Sequence, residues 1–307
     1  MSFYAPGKLM ISGEYVVLDG ALALAIPTAG YGQNLQVDKH PADNHRWESY
    51  DVNGKWFEAV FSKDLNQIIT TSNKPQAVII QQLLQFIKRQ KPQLFQHSKY
   101  FKTNLNFNRF WGLGSSSSLI ALLAKWSGVS AFDLLNISFG GSGYDVAVAM
   151  QNQAILYHLS GRKQSGAPVY REQYPVWQVV NFQPVFAKNL FLIYLNIKQN
   201  SRKEIQNYQY KKVTPAQVKT ISKISQDILQ CQSLEGFERL IDQHEQIISR
   251  ILKRPMVQQA FFDDYPGQIK SLGAWGGDFI MATRQEAPDY FRSKGYHQII
   301  CLKDILG

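Results

Sequence analysis

A glycine-rich turn followed by four serines and an apolar helix is the sequence feature that most restricts how this chain can fold. Residues 111–124 read WGLGSSSSLIALLA. Glycines allow positive φ and close approach of the backbone to a ligand, and the free N–H groups at the start of a helix attract anions. The pattern predicts a phosphate-binding turn. The competing interpretation is a Gly/Ser-rich surface loop that caps an ordinary helix.

Two common nucleotide-binding patterns are absent from the 307 residues. Neither Gly-x-x-x-x-Gly-Lys-Ser/Thr nor Gly-x-Gly-x-x-Gly occurs, so the turn belongs to another kind of phosphate-binding protein. The six histidines lack metal-ligand spacing, and the two cysteines, Cys231 and Cys301, form no Cys-x-x-Cys pair. We therefore expect neither a zinc site nor a disulfide framework.

Composition indicates a globular protein that can form two domains, with 45% hydrophobic and 13% aromatic residues. No apolar run approaches the roughly 20 residues that span a bilayer, and the first eight residues lack the pattern of a signal peptide. We therefore expect a cytoplasmic protein that does not enter a membrane. The net charge of +10 is dispersed in short groups such as Lys211-Lys212. This distribution favours binding of small anions over nucleic acid or membrane surfaces.

Periodicity predicts alternating strands and helices. Short apolar runs in residues 9–37 predict strands, Asn53-Gly54 predicts a hairpin within residues 47–61, and residues 76–89 form an amphipathic helical pattern. A strand at 100–107 leads into the glycine–serine turn and a helix at 116–126. Residues 154–186 indicate irregular β-structure. Further on we expect a strand at 190–195, helices at about 215–231 and 234–253, a strand–turn–strand at 269–283, and a last helix and strand.

Four segments, taken in order, resemble the motifs of the GHMP kinases, the superfamily of galactokinase, homoserine kinase, mevalonate kinase and phosphomevalonate kinase. The resemblance covers nearly the whole chain. The segments are residues 6–18 (PGKLMISGEYVVL), 112–117 (GLGSSS), 141–147 (GSGYDVA) and 272–278 (LGAWGGD). Gly13-Glu14-Tyr15 and residues 143–147 are most similar to the phosphomevalonate kinases, whereas mevalonate kinases tend to carry Gly-Glu-His in the first motif.

The resemblance implies a two-domain α+β fold. It places an N-terminal ATP-binding domain at residues 1–186, with a mixed sheet and a left-handed βαβ unit that departs from the usual right-handed rule. It places a ferredoxin-like C-terminal domain at residues 187–307, with ATP and the acceptor meeting between the two. The implied cofactors are ATP and Mg²⁺, and the implied partner is a small, anionic alcohol. The implied assembly is a monomer or a homodimer.

The family pattern also assigns roles to individual residues. Asp145 is the candidate base or orienter of the acceptor hydroxyl, and Lys8 would stabilise the developing alkoxide. The residues that would bind the triphosphate are Gly112, Leu113, Gly114, Ser115, Ser116, Ser117 and Ser118. Ser116 also matches the family serine that contacts Mg²⁺. The alternative for the pair is that Asp145 caps its helix and Lys8 is solvated.

The acceptor side is less specific. The candidate substrate-binding residues are Lys198, Ser201, Arg202, Gly273, Ala274 and Trp275, with Lys270 as a further candidate for a carboxylate or phosphate. The alternative for Lys198, Ser201, Arg202 and Lys270 is that each side chain is solvated. Trp275 replaces a glycine usual in the third motif, and its ring would either narrow the substrate site or pack under the turn. We expect Glu14 to be a structural hydrogen-bonding residue.

One departure from mevalonate kinases concerns magnesium. A glutamate that serves there as a ligand is absent from residues 133–138, where Asp133 either replaces it or is an ordinary helix-surface residue. The sequence thus predicts a kinase for mevalonate or phosphomevalonate. The alternatives are a GHMP kinase for a sugar or other small alcohol and a catalytically silent ligand sensor, while a nucleic-acid-binding protein is the weakest of the readings.

Overall fold

The computed structural model describes residues 1–161, 174–197, 204, 206–208, 213–273, 275 and 277–306, which form two compact units. The first unit comprises Met1–Gly7, Tyr31–Arg109 and Leu113–Met150. The second comprises Lys8–Gly30, Phe110–Gly112 and Gln151–Gly307. The boundary that we placed between residues 186 and 187 stays a prediction.

Strands and helices alternate along the chain. The strands are β1 (Ser2–Ser12), β2 (Ala23–Lys39), β3 (Asn44–Asp51), β4 (Gly54–Ser62), β5 (Ile68–Thr71), β6 (Lys99–Leu105), β7 (Ile155–Ser160), β8 (Tyr174–Val179), β9 (Leu190–Tyr194), β10 (Ile269–Ser271), β11 (Phe279–Thr283) and β12 (Ile299–Cys301). The helices are α1 (Lys74–Gln90), α2 (Ser115–Ser127), α3 (Ala131–Asn136), α4 (Tyr144–Gln151), α5 (Pro215–Gln230), α6 (Leu234–Leu252), α7 (Val257–Phe261), α8 (Ala287–Ser293) and α9 (Leu302–Leu306). Short 3₁₀ turns occupy Val16–Asp19, Pro92–Phe95 and Ala187–Asn189.

The first unit is a mixed sheet covered by helices. Its strands lie in the order β5-β4-β3-β6-β2, with β3 and β6 parallel and the other neighbours antiparallel. Trp47 of β3 stacks on Phe101 of β6 at 5.1 Å between ring centroids, and Trp126 of α2 meets Phe101 edge-on at 5.2 Å. The fully buried side chains of Leu83 and Leu84 in α1 each contribute about 1.5–3 kcal/mol to this core.

The second unit contains a four-stranded antiparallel sheet in the order β10-β11-β9-β12. Between β9 and β10 the chain forms α5 and α6, and between β11 and β12 it forms α8. This is the ferredoxin-like arrangement that the sequence predicted. Residues 23–25 of β2 also lie in this unit and pair with β7, which in turn pairs with β8. The large mixed sheet and the small antiparallel sheet together confirm the predicted α+β class.

Most predicted elements are confirmed, and two segments differ. Val16–Asp19, within the apolar runs of residues 9–37 that predicted strands, is a 3₁₀ turn, because Gly13 and Tyr15 both have positive φ and reverse the chain there. Within 154–186, β7 and β8 form a regular antiparallel ladder, although residues 162–173 lie outside the described residues. Pro175 is accommodated because β8 pairs with one neighbour only among the described strands, and an edge strand tolerates a missing N–H.

Candidate active site

The turn of the first motif begins where β1 ends. Gly13 has φ +96°, and a Cβ there would lie 2.7 Å from the Cα of Ala23, so only glycine fits. Tyr15 follows with φ 65° and ψ −55°. The N–H of Val16 donates to the carbonyl of Glu14 at 2.7 Å across Tyr15. This is a γ-turn with positive φ at its central residue, a rare and strained conformation.

Below this turn lies a buried cluster of charged side chains from three segments. Lys270 of β10 donates to Glu14 Oε1 at 2.6 Å and lies 3.5 Å from Glu245 Oε1 of α6. His244 Nε2 accepts the N–H of Gly13 at 3.0 Å. The side chains of Lys270 and His244 are 0% exposed and that of Glu14 is 6% exposed. Glu14 is therefore the structural hydrogen-bonding residue that we expected.

The protonation of this cluster follows from its geometry. Because Nε2 of His244 accepts a hydrogen bond, its proton lies on Nδ1, which is 3.4 Å from Glu245 Oε1. Burial, with the nearby charge of Lys270, lowers the pKa of His244 to about 3. Burial also raises the pKa of Glu245. Lys270 is thus ion-paired with Glu14 inside the second unit. This contact corrects the interpretation of Lys270 as a candidate for substrate binding.

Lys8 lies further up β1 and reaches the glycine–serine turn. Its Nζ donates to the carbonyl of Gly112 at 3.0 Å. Gly112 has φ +70°, and a Cβ there would lie 2.4 Å from Oδ2 of Asp278. Next to it, the Trp111 ring meets Phe279 edge-on at 5.9 Å. The first residues of the turn are therefore held between an ammonium and a buried carboxylate.

Tyr15 also makes a hydrogen bond to the third motif, at Trp275. The backbone N–H of Trp275 donates to the Tyr15 hydroxyl at 2.8 Å, and Trp275 Nε1 donates to the carbonyl of Pro255 at 3.1 Å. The Trp275 side chain is 6% exposed, the geometry expected of a ring that packs under the turn. Gly273 has φ +70°. The roles of Gly273 and Trp275 in substrate binding stay predictions.

Four predicted substrate-binding residues cannot be placed. Lys198, Ser201, Arg202 and Ala274 lie outside the described residues.

In the first unit, the serines open α2. Gly114 has φ 90° and precedes the helix. Ser117 Oγ donates to the Gly114 carbonyl at 2.8 Å, and Ser118 Oγ donates to Gln33 Oε1 at 2.8 Å. Ser116, by contrast, is exposed. The hydroxyls of Ser117 and Ser118 thus stabilise the protein itself, whereas Ser116 faces solvent at a helix start that lacks intrahelical acceptors for its first N–H groups.

The entry to the glycine–serine turn is also anchored in the first unit. Arg109 Nη1 lies 2.8 Å from Oδ2 of Asp51, whose side chain is 0% exposed. The guanidinium also lies over the Trp56 ring, 5.2 Å from its centroid. A charge-assisted bond of this kind fixes the end of the segment that follows β6.

Asp145 lies in the first turn of α4, also in the first unit. It is half-buried, and its Oδ1 accepts the N–H of Val146 at 2.9 Å. The preceding Gly143 has φ +83°, and a Cβ there would lie 2.9 Å from the ring of Phe132. This close approach requires glycine and sets where α4 begins. Asp133 of α3 is exposed, as an ordinary helix-surface residue would be.

Metal-ligand clusters and membrane-spanning helices are both absent from the described residues. Within the described ranges, no group of three or more His, Cys, Asp or Glu side chains is arranged to hold a metal ion. Among those same residues, no helix is both long and apolar enough to cross a bilayer.

Sequence reasoning missed His244 and Glu245. The signal was available in α6, where Phe237, Ile241 and Ile248 form a helical apolar stripe and His244 occupies the position between them. A histidine within a buried stripe must find a partner. The partner, the Gly13 backbone, is 231 residues away and carries no side-chain signal.

Comparison with known proteins yields structural matches only. No protein-family model and no curated protein sequence matches the chain. Streptococcus pneumoniae phosphomevalonate kinase in complex with phosphomevalonate and AMPPNP aligns with a TM-score of 0.68 and 18% identity, over 96% of this chain and 95% of that chain. Methanococcus jannaschii mevalonate kinase aligns with a TM-score of 0.60 and 15% identity, over 98% and 96%. Lactococcus lactis galactokinase complexed with galactose aligns with a TM-score of 0.60 and 9% identity, over 95% and 87%.

Proposed function

We propose that this chain, which has the two-domain GHMP kinase fold, is an ATP- and Mg²⁺-dependent kinase of mevalonate or phosphomevalonate. The observation that carries the proposal is the contact of Lys8 Nζ with the Gly112 carbonyl at 3.0 Å. Through this contact the cationic side chain of Lys8, in the first motif, reaches the glycine–serine turn, which is the second motif. A phosphoryl-transfer site needs positive charge beside such a turn.

The chain offers a suitable binding site for the triphosphate. Gly112 and Gly114 have positive φ, which lets the backbone approach an anion closely. Ser116 is exposed in the first turn of the 13-residue helix α2, where the helix dipole favours negative charge. ATP would therefore bind with its phosphates along residues 112–116.

Magnesium fits the same end of α2. Mg²⁺ keeps several waters and takes few protein ligands, so one serine hydroxyl together with phosphate oxygens satisfies it. Ser116 is the exposed hydroxyl that would serve. When bound there, the ion would neutralise charge on the transferring phosphoryl group.

The reaction assigns distinct tasks to Asp145 and Lys8. The acceptor oxygen, a hydroxyl of mevalonate or a phosphate oxygen of phosphomevalonate, would attack the γ-phosphorus, and the bond from that phosphorus to the bridging oxygen of ADP would break. With mevalonate, Asp145 in the first turn of α4 would accept or direct the hydroxyl proton. The Lys8 ammonium would stabilise the developing negative charge.

The isoprenoid acceptors are favoured over sugars by residues of the first motif. In the first motif Tyr15 follows Glu14, and this Gly-Glu-Tyr order is most similar to that of the phosphomevalonate kinases. The +10 net charge suits an anionic acceptor.

Release of ADP, measured with a coupled assay, tests the proposal. The purified chain is supplied with ATP, Mg²⁺ and one acceptor at a time: phosphomevalonate, mevalonate, galactose or homoserine. We expect turnover with phosphomevalonate or mevalonate and none above background with the others. Turnover with galactose alone would assign a sugar kinase. ATP binding by calorimetry without turnover of any acceptor would instead indicate a ligand sensor.

A further inference from the structure

Tyr15 connects the first motif to the third and to the segment after β9. Its hydroxyl accepts the N–H of Trp275 at 2.8 Å. Its ring lies 5.3 Å from that of Tyr208, whose hydroxyl donates to Asp19. All of these residues belong to the second unit. One side chain therefore contacts both the third motif and Tyr208.

The backbone of Tyr15 is strained, and the strain has identifiable supports. Positive φ at an aromatic residue is a strained conformation that persists only where the surroundings enforce it. Here the turn is enforced on one side by the Gly13 N–H bond to His244 and on the other by the Val17 N–H bond to the Gly13 carbonyl at 3.0 Å. A relaxed conformation would point the Tyr15 side chain elsewhere.

Two consecutive residues of this turn contact β10 and the third motif that follows it. Glu14 accepts from Lys270 in β10, two residues before the motif, and Tyr15 accepts from the N–H of Trp275 within it. Burial raises the pKa of Tyr15, so its hydroxyl stays protonated and neutral at the Trp275 amide.

We infer that Tyr15 is a positioning residue, whose hydroxyl fixes the backbone of Trp275 in the position that acceptor binding requires. The inference rests on the proposed kinase function for its link to the acceptor. It does not require Tyr15 to touch substrate. Removing the hydroxyl leaves the buried N–H of Trp275 without this acceptor, which loosens the turn.

The test compares Tyr15→Phe with Tyr265→Phe in the full chain. Tyr265 is a matched control because it is also buried in the second unit and its hydroxyl donates to the Thr283 carbonyl, away from the turn. Steady-state kinetics are measured with phosphomevalonate and with mevalonate. Backbone amide exchange of the peptide around Trp275 is followed by mass spectrometry without ligands.

For Tyr15→Phe we expect the KM for the acceptor to rise about tenfold, the cost of one unsatisfied buried donor. The KM for ATP should change less than twofold. Exchange should accelerate about tenfold in the peptide around Trp275 and not elsewhere, by the same reasoning. Tyr265→Phe should show neither the acceptor effect nor the local exchange effect.

Three outcomes would overturn the inference: unchanged exchange around Trp275, equal rises in both KM values, or a lower kcat with both KM values unchanged. The proposed function is decided separately by the unmodified chain. If that chain phosphorylates neither acceptor, the kinase proposal fails. Amide exchange then decides alone whether Tyr15 fixes the turn.

Discussion

The backbone N–H of Gly13 donates a 3.0 Å hydrogen bond to Nε2 of His244, so the strained turn after β1 is attached to the middle of α6. The imidazole can accept this bond only while Nε2 is unprotonated. Burial and the charge of Lys270 lower the pKa of His244 to about 3, and Glu14 acts against them. The bond is therefore present throughout the physiological pH range.

This depressed pKa predicts how stability depends on pH. Between the ordinary histidine pKa of 6.5 and the value of about 3, the unfolded chain binds a proton at His244 that the folded chain does not. The free energy of unfolding therefore falls as the pH falls through that window. The raised pKa of Glu245 has the opposite effect on stability. Above pH 4.5 the folded chain keeps a proton on Glu245 that the unfolded chain loses, so the stabilisation from this group is complete below pH 4.5 and is lost as the pH rises.

We expect His244→Gln to reduce the loss of stability between pH 7 and pH 5, measured by urea unfolding. Gln places an amide oxygen near the former Nε2 and does not titrate. His158→Gln, at a half-buried histidine of β7, should retain the pH dependence of the unmodified protein. Equal pH dependence in the two variants would contradict a neutral His244.

Lys270 predicts a large effect on stability. Its buried ammonium is bonded to Glu14 at 2.6 Å and lies 3.5 Å from Glu245. Lys270→Met leaves two buried acidic side chains without their cation, and such losses destabilise by about 3–5 kcal/mol. Thermal and urea unfolding measure the change.

The control for this variant is Lys223→Met. Lys223 of α5 pairs with Asp227 at 2.7 Å, but its side chain is 69% exposed. A surface pair of this kind contributes at most about 1 kcal/mol. If both variants lose the same stability, the buried cluster does not have the importance that we assign to it.

Gly112 predicts a local steric effect at the glycine–serine turn. Alanine there would place Cβ 2.4 Å from Asp278 Oδ2, at φ +70°. Gly112→Ala should displace the turn from Asp278 and raise the KM for ATP about tenfold or more, since the backbone N–H groups that would bind phosphate move with it.

Gly128→Ala separates this clash from backbone strain. Gly128 ends the same helix that the turn opens, has φ +69°, and has no atom within 4 Å of a Cβ position. Alanine at positive φ costs about 1–2 kcal/mol at either site. Only Gly112→Ala should change ATP binding, and an equal rise in KM for both variants would show that Asp278 is unimportant there.

The sequence predicted the elements and the fold class but only part of the site. Local patterns sufficed for α1, whose start is capped by Asn73 through the N–H of Gln76, and for the Asn53-Gly54 hairpin. They failed at Val16–Asp19, where apolar residues form a 3₁₀ turn because tertiary contacts enforce positive φ at Tyr15. Lys270 was a candidate for substrate binding or a solvated side chain, and it is instead buried against Glu14, because nothing local to β10 reveals that Glu14 lies opposite.

Asp145 carries the last prediction, a loss of turnover without loss of nucleotide binding. Asp145→Asn keeps an oxygen that can accept the Val146 N–H now bonded to Oδ1 at 2.9 Å, so the start of α4 should be preserved. Proton transfer to a positioned carboxylate contributes about 10²–10⁴-fold, and kcat with mevalonate, a hydroxyl acceptor, should fall by that order. The ATP dissociation constant, measured by calorimetry, should change less than twofold. Asp133→Asn, at an exposed carboxylate of α3, should retain full activity. More than a tenth of normal turnover in Asp145→Asn would remove Asp145 from the reaction.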